Sequence, residues 1–416
     1  MTRVLLVSQY YWPESFTITA EVARLARNGF EITVLTGQPN YPAGKIFSGY
    51  SAFSIRRDRV EGIEVIRLPL FPRGQGSGLR LMLNYLSFIL SGLLIAPFLL
   101  RGRRFDLVFV FGLSPLLQAL PAVLLSRIKG APLVVWVQDL WPESLAATGF
   151  IRNPSLLGIV RLLVRFIYRN CTRILVQSEA FRAPVAALSP PGATIACVPN
   201  SGQTADAATP PSESARALGD RIAQGFSIVF AGNLGHAQGL DTLLNALDTL
   251  RDLPDLQVYL VGSGALDGWL EQERQRRNLT MLHLPGRFAP ADMPVILSNA
   301  AALLVSLRKE AIFGLTVPSK MQTYLSTGRP IIASLDGEGA RILSEAGAGL
   351  SAPAGDPTAL ASALRHMASL PPTERSAMGL SGRRYFDTHF APDRITALLS
   401  DHLTAATHPA ARHQGD

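Results

Sequence analysis

At 416 residues, 48% of them apolar and 17% charged, the chain is a folded protein too long for one ordinary core, and two domains of about 200 residues each are expected. Lys and Arg exceed Asp and Glu by eight. That suits anionic partners such as nucleotides or lipid phosphates, while the lack of a basic block interleaved with aromatics argues against nucleic acid.

The start, MTRVLLVSQYYWPE, carries one positive charge and a very short apolar run. It reads as a first strand and not as a signal peptide, so a cytosolic chain is expected. The two cysteines, Cys171 and Cys197, have no CxxC or metal spacing and fit a reducing compartment. Residues 18–28 place Ile18, Val22, Leu25 and Ala26 on one helical face before Gly29. FEITVLTG, IEVIRLPL, FDLVFVFG, APLVVWVQD and TRILVQS follow as buried-type strands. Continuous apolar runs separated by helices indicate a parallel sheet covered on both faces. Residues 1–200 are therefore read as a doubly wound, Rossmann-like α/β domain.

One segment departs from this rhythm. Residues 81–100, LMLNYLSFILSGLLIAPFLL, carry no charge and are flanked by Arg80 and by Arg101, Arg103 and Arg104. Length and flanks meet the threshold for a membrane span. A full span would put strands of one sheet on opposite sides of a bilayer, and Asn84, Ser87, Ser91 and Pro97 weaken it. The expectation is a membrane-associating helix over 79–101, partly in the domain and partly in the lipid interface; a buried helix and a true span are the alternatives. Arg161, Arg165, Arg169 and Arg173 recur at i+4 as a basic helical stripe, suited either to phospholipid or to plain solvent.

Residues 201–225 are small, polar and proline-rich and read as a linker with a short helix. A second α/β alternation then runs over 226–380: FSIVFAGN, LQVYLVGSG, LTMLHLPG, AALLVSL and RPIIASLD with helices between. The final helices, 356–369 and 391–405 within a C-terminal region 381–405, are expected to return towards the first domain. Two doubly wound domains of this kind bind ligands in a cleft at the carboxyl ends of their strands.

Nucleophilic catalysis has no support: G-x-S-x-G, P-loop, HExxH and a GxGxxG after the first strand are all missing. The scattered histidines, His236 and His283 among them, give no metal site. Glycine-bounded turns are more informative. FAGNLGHAQGLDTLL sets Gly232, Gly235 and Gly239 between a strand and a helix, and VGSGALDGWL repeats the logic with Gly262 and Gly264. Such turns expose backbone N–H groups and a helix N-terminus to phosphate. Lys320, after Pro318 and Ser319, falls in a first helical turn, where a lysine opposes the dipole unless an anion is bound. The tetrapeptide WPES occurs twice, at Trp12–Ser15 and at Trp141–Ser144. Each copy follows a strand, so Glu14 and Glu143 are expected to face one site.

VVWVQDLWPES, AGNLGHAQGLDTLL, VPSKMQTYLSTGRPIIASLDGEGARILSEAGAG and TGQPNYPAGKIFSGY together resemble family 4 glycosyltransferases. They are most similar to the branch with fucosamine transferases of O-antigen and colanic acid assembly, over about residues 1–370. The resemblance implies a GT-B fold with a nucleotide-sugar donor in the C-terminal domain. It further implies transfer of a hexose, amino- or deoxy-sugars included, with retention and without metal or other cofactor. The implied acceptor is a lipid-linked glycan at the inner face of the cell membrane, in exopolysaccharide or O-antigen synthesis. Family members bracket the first donor loop with Arg and Lys; Asn233 and Gln238 stand there in this chain, so Arg308, Lys309 or Lys320 would supply the charge. The family's ribose-binding glutamate falls on Thr323, with Glu338 as a substitute, and its sugar-binding histidine falls on Gln138. The expected catalytic residues are Asp139, Glu143, Arg308 and Lys320. The donor set adds Gly232, Asn233, Gly235, Gln238, Gly262, Gly264, Lys309, Pro318, Ser319, Thr323 and Glu338. Acceptor or sugar contacts are expected from Trp12, Glu14, Gln138 and Trp141. A non-catalytic scaffold of polysaccharide assembly and a nucleotide-sugar epimerase are the competing readings.

Overall fold

A computed structural model describes residues 1–74, 78–147, 149–151, 153–202 and 210–408. The chain forms two compact units: residues 1–200 together with the last helix, and Ser201–Pro392.

Among the described residues, the first unit contains eight strands: β1 (Thr2–Val7), β2 (Phe30–Gly37), β3 (Arg56–Val60), β4 (Ile63–Leu68), β5 (Leu107–Gly112), β6 (Leu133–Val137), β7 (Arg173–Val176) and β8 (Ile195–Cys197). They form one sheet in the order β3-β4-β2-β1-β5-β6-β7-β8. Every residue of β5 and β6 is buried, as expected for strands covered on both faces. The sheet is not wholly parallel. β3 runs antiparallel to β4, and its sequence RRDRV hides only Val60, so charge keeps this edge in water. Its neighbour Arg67 is fully buried, donating to Asp58 Oδ2 at 2.7 Å and to the Trp12 carbonyl at 2.5 Å.

One face of the sheet is covered by the helices Thr17–Arg27 and Pro392–Thr407, through Ile18, Val22, Leu25, Ile395, Leu399 and Leu403. The other carries the helices Gly78–Leu94, Ala119–Lys129 and Pro154–Arg169. The uncharged segment is not one helix over 79–101. It breaks at Ile95 into Gly78–Leu94 and the short Ala96–Leu99, and among the described residues no helix is long and apolar enough to cross a membrane. Its polar side chains point into the protein. Asn84 donates to the Phe71 carbonyl at 2.7 Å and accepts from Gln9 Nε2 at 2.7 Å. Ser87 Oγ accepts from the Phe71 N–H, Ser91 Oγ donates to the Pro69 carbonyl, and Gly92 lies against Pro121. The opposite side leaves Leu79, Met82, Leu86, Leu90, Leu94 and Phe98 exposed. The basic stripe is shorter than its spacing suggested, because the helix ends at Arg169 and Arg173 begins β7.

The second unit holds, among its described residues, β9 (Phe226–Ala231), β10 (Leu256–Val261), β11 (Leu282–Gly286), β12 (Ala302–Ser306), β13 (Ile331–Ser334) and β14 (Gly349–Ala352). They are all parallel, in the order β11-β10-β9-β12-β13-β14. The region read as linker contributes a helix to this core: Ser212 caps Glu213–Ile222, which buries Ala215, Leu218 and Ile222. Pro357–Ser369 packs on the sheet through Leu360, Leu364 and Met367, and Pro372–His389 buries Phe386 on its other face. Both helices remain in the second unit, so only Pro392–Thr407 joins the first. Because the strands are parallel, the turns after β9, β10 and β12 gather at one end of the sheet.

Candidate active site

The two glycine turns of the second unit interlock through their backbones. Gly232 has φ +139° and Gly262 φ +146°, conformations that L side chains rarely adopt. A Cβ on Gly262 would stand 1.8 Å from the Gly232 carbonyl oxygen. The Gly232 N–H donates to the Val261 carbonyl at 2.9 Å, and that of Leu234 to the Ser263 carbonyl at 3.1 Å. A Cβ on Gly264 would meet the Leu234 carbonyl at 2.4 Å, and one on Gly235 the Asn233 amide at 2.7 Å. On the far side of the turn, the Arg308 N–H donates to the Ala237 carbonyl at 2.9 Å, with Gly239 packed against it.

Lys320 reaches into this constellation from the helix Ser319–Ser326, whose N-cap is Pro318. Tyr324 ties that helix to the end of β9: its hydroxyl accepts from the Ala231 N–H at 2.7 Å. The Lys320 ammonium donates to Gln238 Oε1 at 2.5 Å, lies 3.5 Å from the centroid of the Phe230 ring, and borders Gly232. Among the described residues no carboxylate pairs with it. Burial pushes its pKa down to about 7, because the charged form is desolvated without compensation. Beside it, Arg308 lines a hollow of about 290 Å³ with His236, Leu240, Asp241, Leu266 and Trp269.

Other expected donor residues stand apart from this group. Thr323 turns its hydroxyl back to the Ser319 carbonyl at 3.2 Å. Glu338 is buried and has both oxygens engaged by Arg341, at 2.7 and 3.0 Å, so it offers no free carboxylate as a ribose substitute. Lys309 and Ser319 are exposed, and the Lys309 stem lies over Gly355.

In the first unit the second WPES copy forms one wall of a cavity of about 130 Å³. It is lined by Leu81, Tyr85, Ser114, Asp139, Ser144, Leu145 and Phe150. Trp141 is buried, sets its ring edge-on to Tyr85 at 6.4 Å, and shares its Nε1–H between Ser114 Oγ and Asp139 Oδ2, both at 3.2 Å. Glu143 opens the helix Glu143–Ala147. Gln138 accepts from Asn200 Nδ2 at 2.8 Å through its side chain, and from Gln177 Nε2 through its carbonyl, leaving its own Nε2 buried without a partner.

The first copy behaves differently, and the expectation that Glu14 faces a ligand is corrected. Trp12 is exposed, but Glu14 is 3% exposed and accepts from the backbone N–H groups of Asn40 (2.8 Å), Tyr41 (2.7 Å) and Tyr11 (3.3 Å). It clasps the turn after β1 to the turn after β2. Burial pushes its pKa up to about 7 against those hydrogen bonds. The echo is thus one of backbone form, with a cis Trp–Pro bond in both copies, while the two carboxylates do different work.

With this geometry stand two family matches. Residues 17–201 match the model described as glycosyl transferase 4-like domain, and residues 225–369 match that described as glycosyl transferases group 1. The chain is a family 4 glycosyltransferase. It is 29% identical over 301 residues to WbjE of Pseudomonas aeruginosa, named as a glycosyltransferase, covering 70% of this chain and 73% of that one. It is 26% identical over 338 residues to WcaI of Escherichia coli (strain K12), whose name assigns it to colanic acid biosynthesis, covering 78% and 81%. Two solved structures share the GT-B fold of this glycosyltransferase. Sucrose-phosphate synthase from Thermosynechococcus elongatus has a TM-score of 0.71 at 18% identity, covering 98% of this chain and all of its own. Anabaena HepE in complex with UDP and glucose has 0.68 at 16%, covering 97% and 100%.

Two residues of the first unit that carried no motif line the cavity: Tyr85 and Ser114. Tyr85 sat unremarked inside the uncharged segment. The nearest available signal was Asn84 beside it, a polar residue at a helical position that a lipid-facing side would not tolerate.

Proposed function

We propose that this glycosyltransferase moves a hexose, amino- and deoxy-hexoses included, from a nucleotide diphosphate sugar to a lipid-linked glycan acceptor during surface polysaccharide assembly. The observation that carries the reading is Lys320, a half-buried cation with no carboxylate partner among the described residues, set against the interlocked glycine turns. Backbone N–H groups of these turns with Lys320 and Arg308 make a cradle for a diphosphate. The names of WbjE and WcaI favour polysaccharide assembly. HepE is described with UDP and UDP-glucose, which makes uridine the first base to try.

In the proposed reaction the bond from the anomeric carbon to the diphosphate breaks, and the electron pair leaves with the phosphate. The acceptor oxygen bonds to the same face, and its proton passes to the departing phosphate oxygen. Lys320 and Arg308 stabilise the negative charge that develops there, which is the largest contribution expected in a reaction of this type and needs no bound metal. Asp139, held by Trp141, orients the acceptor hydroxyl.

The acceptor reading has its own support in the exposed row Leu79, Met82, Leu86, Leu90 and Leu94, with Phe98 beyond. Nearby helices add Ile128, Leu156, Ile159, Leu162 and Phe166 alongside the exposed Arg161, Arg165 and Arg169. Apolar side chains interspersed with arginines suit the surface of an anionic membrane, here assigned to its cytoplasmic leaflet.

A thermal-shift screen of nucleotide sugars tests the donor reading, because a ligand bound only by the folded protein raises its melting temperature by mass action. A true donor stabilises the wild type and stabilises Lys320→Ala much less. If no nucleotide sugar shifts the wild type, or Lys320→Ala responds equally, the donor site is wrong.

A further inference from the structure

Lys320 reaches its place by crossing the end of a strand. The helix that carries it packs on one face of the second unit's sheet through Met321, Tyr324 and Leu325, whereas Phe230 belongs to the core on the opposite face. Along β9, Ile228 and Phe230 point to that far side, and Val229 and Ala231 to the near one. The lysine stem passes over the strand beside Gly232, where a Cβ would stand 3.4 Å from its Cε and Nζ. It ends with the ammonium 3.5 Å from the centroid of the Phe230 ring and bonded to Gln238 Oε1.

Both partners are neutral, and that choice has a chemical consequence. A carboxylate would keep the ammonium charged, but it would repel an incoming diphosphate or have to be displaced by it. The face of an aromatic ring attracts a cation through its quadrupole, most strongly where water is excluded, and it presents no net charge to an anion. Phe230 is fully buried, so ring and ammonium meet in such a place. Gln238 takes one of the ammonium's N–H groups, and Gly232 leaves the adjoining side without a side chain. An anion can therefore approach while the ring contact persists. Burial acts against the charge on Lys320, and the ring acts for it. We propose that Phe230 is a positioning residue: its ring holds the Lys320 ammonium charged and aimed at the glycine turns, both before the donor arrives and while the diphosphate is bound. The proposal rests on the reading of Lys320 as the diphosphate ligand and adds the group that maintains its charge.

The test grades the ring while keeping its shape. Phenylalanines carrying one, two and three fluorines at position 230 withdraw electron density from the face stepwise, and Phe230→Leu removes the face altogether. Thermal melts show that each variant is folded. The elements around the ammonium also carry His236, Asp241 and Arg308, which every variant keeps. Ionisation of Lys320 is read from its rate of acetylation by acetic anhydride against pH, by peptide mass spectrometry, with Lys45 and Lys129 as internal references. The midpoint lies at about 7 in the wild type. It should fall with each fluorine, to an ionisation constant about tenfold larger with the full set, while the references do not move.

UDP-glucose affinity is the second readout. It should weaken across the series by about tenfold at pH 8.5 but only by about twofold at pH 6, where most of the lysine is protonated in the free protein as well. In Lys320→Met the fluorines should change nothing. A Lys320 midpoint indifferent to fluorine overturns the proposal. So does an affinity that falls equally at both pH values, the mark of a ring needed only for packing, or a fluorine effect that persists in Lys320→Met. Failure of the donor reading shows separately: midpoints that follow the fluorine count in a protein that binds no nucleotide sugar leave the ring–ammonium contact standing and remove the diphosphate from it.

Discussion

At pH 8 a lysine whose pKa has fallen to about 7 carries its charge in roughly one molecule in ten. The donor needs that charge, and a nucleotide diphosphate sugar has no phosphate proton of its own to exchange near neutrality. Binding the diphosphate beside Lys320 restores a partner and raises the pKa of the ammonium in the complex. Linkage then sets the sign: affinity is full below about pH 7 and falls by about tenfold for each unit above it, until the pKa of the bound state is reached. In the free protein the unfolded chain keeps this proton up to the ordinary lysine range while the native state releases it near 7. Stability contributed through Lys320 therefore rises with pH across that window. Isothermal titration with UDP-sugar at pH 6.5 and 8.5, in two buffers of different ionisation heat, measures both consequences. The wild type should weaken by about tenfold or more and take up close to one proton at the higher pH. Lys320→Met should bind weakly at both values with no uptake. An affinity that is flat with pH in the wild type, or a slope that persists in Lys320→Met, refutes the assignment of Lys320 to the diphosphate.

Glu14 gives a signature of opposite sign. The native state holds its proton up to about 7 while the unfolded chain loses it near the ordinary glutamate value, so its contribution to stability falls as pH rises between them. By roughly 3 kcal/mol at most, Glu14→Gln should gain on the wild type between pH 4.5 and 7.5 in thermal melts; a constant difference would contradict the buried clasp. Gly262→Ala must relieve a 1.8 Å clash at a positive φ, so a loss of about 3 kcal/mol or more and a marked fall in UDP-sugar affinity are expected; calorimetry showing a wild-type melt would mean that the two turns do not interlock. Replacing Leu86 and Leu90 by Glu should cut flotation with anionic vesicles by about tenfold or more, from lost apolar insertion at roughly 1 kcal/mol or more per side chain, with the melting temperature unchanged. Undiminished flotation would remove this helix from the membrane face.

What was legible in the sequence follows from how local its cause is. β5 and β6 announce themselves because strands buried on both faces must be continuously apolar, and the glycines at 232, 262 and 264 because only glycine tolerates those backbone approaches. β3 was missed because an edge strand in water needs no apolar pattern, so RRDRV reads as a loop. The hydropathy of residues 81–100 was real, but the buried side is marked by Asn84, Ser87 and Ser91, whose partners Gln9, Phe71 and Pro69 are set by the fold alone. Glu338 looked like a sugar ligand until Arg341, three residues on, was seen to occupy both its oxygens. The same holds for Glu14: WPES is identical in both copies, yet the backbone N–H groups that claim the first carboxylate come from Asn40 and Tyr41, beyond any local pattern. Tyr85 carried no motif, and only the packing of the helix Gly78–Leu94 on the first unit brings it to the cavity.

The most direct test of the account follows sugar itself. Purified wild-type protein is incubated with radiolabelled nucleotide sugars and a lipid-phosphate extract of bacterial membranes in metal-free buffer, and label is followed into the organic phase. The anomeric configuration of the product is then read by NMR. The account predicts transfer from one donor with the configuration at the anomeric carbon retained, and its near-abolition in Lys320→Met. An inverted product, a strict requirement for added divalent metal, or unchanged transfer in Lys320→Met would contradict it.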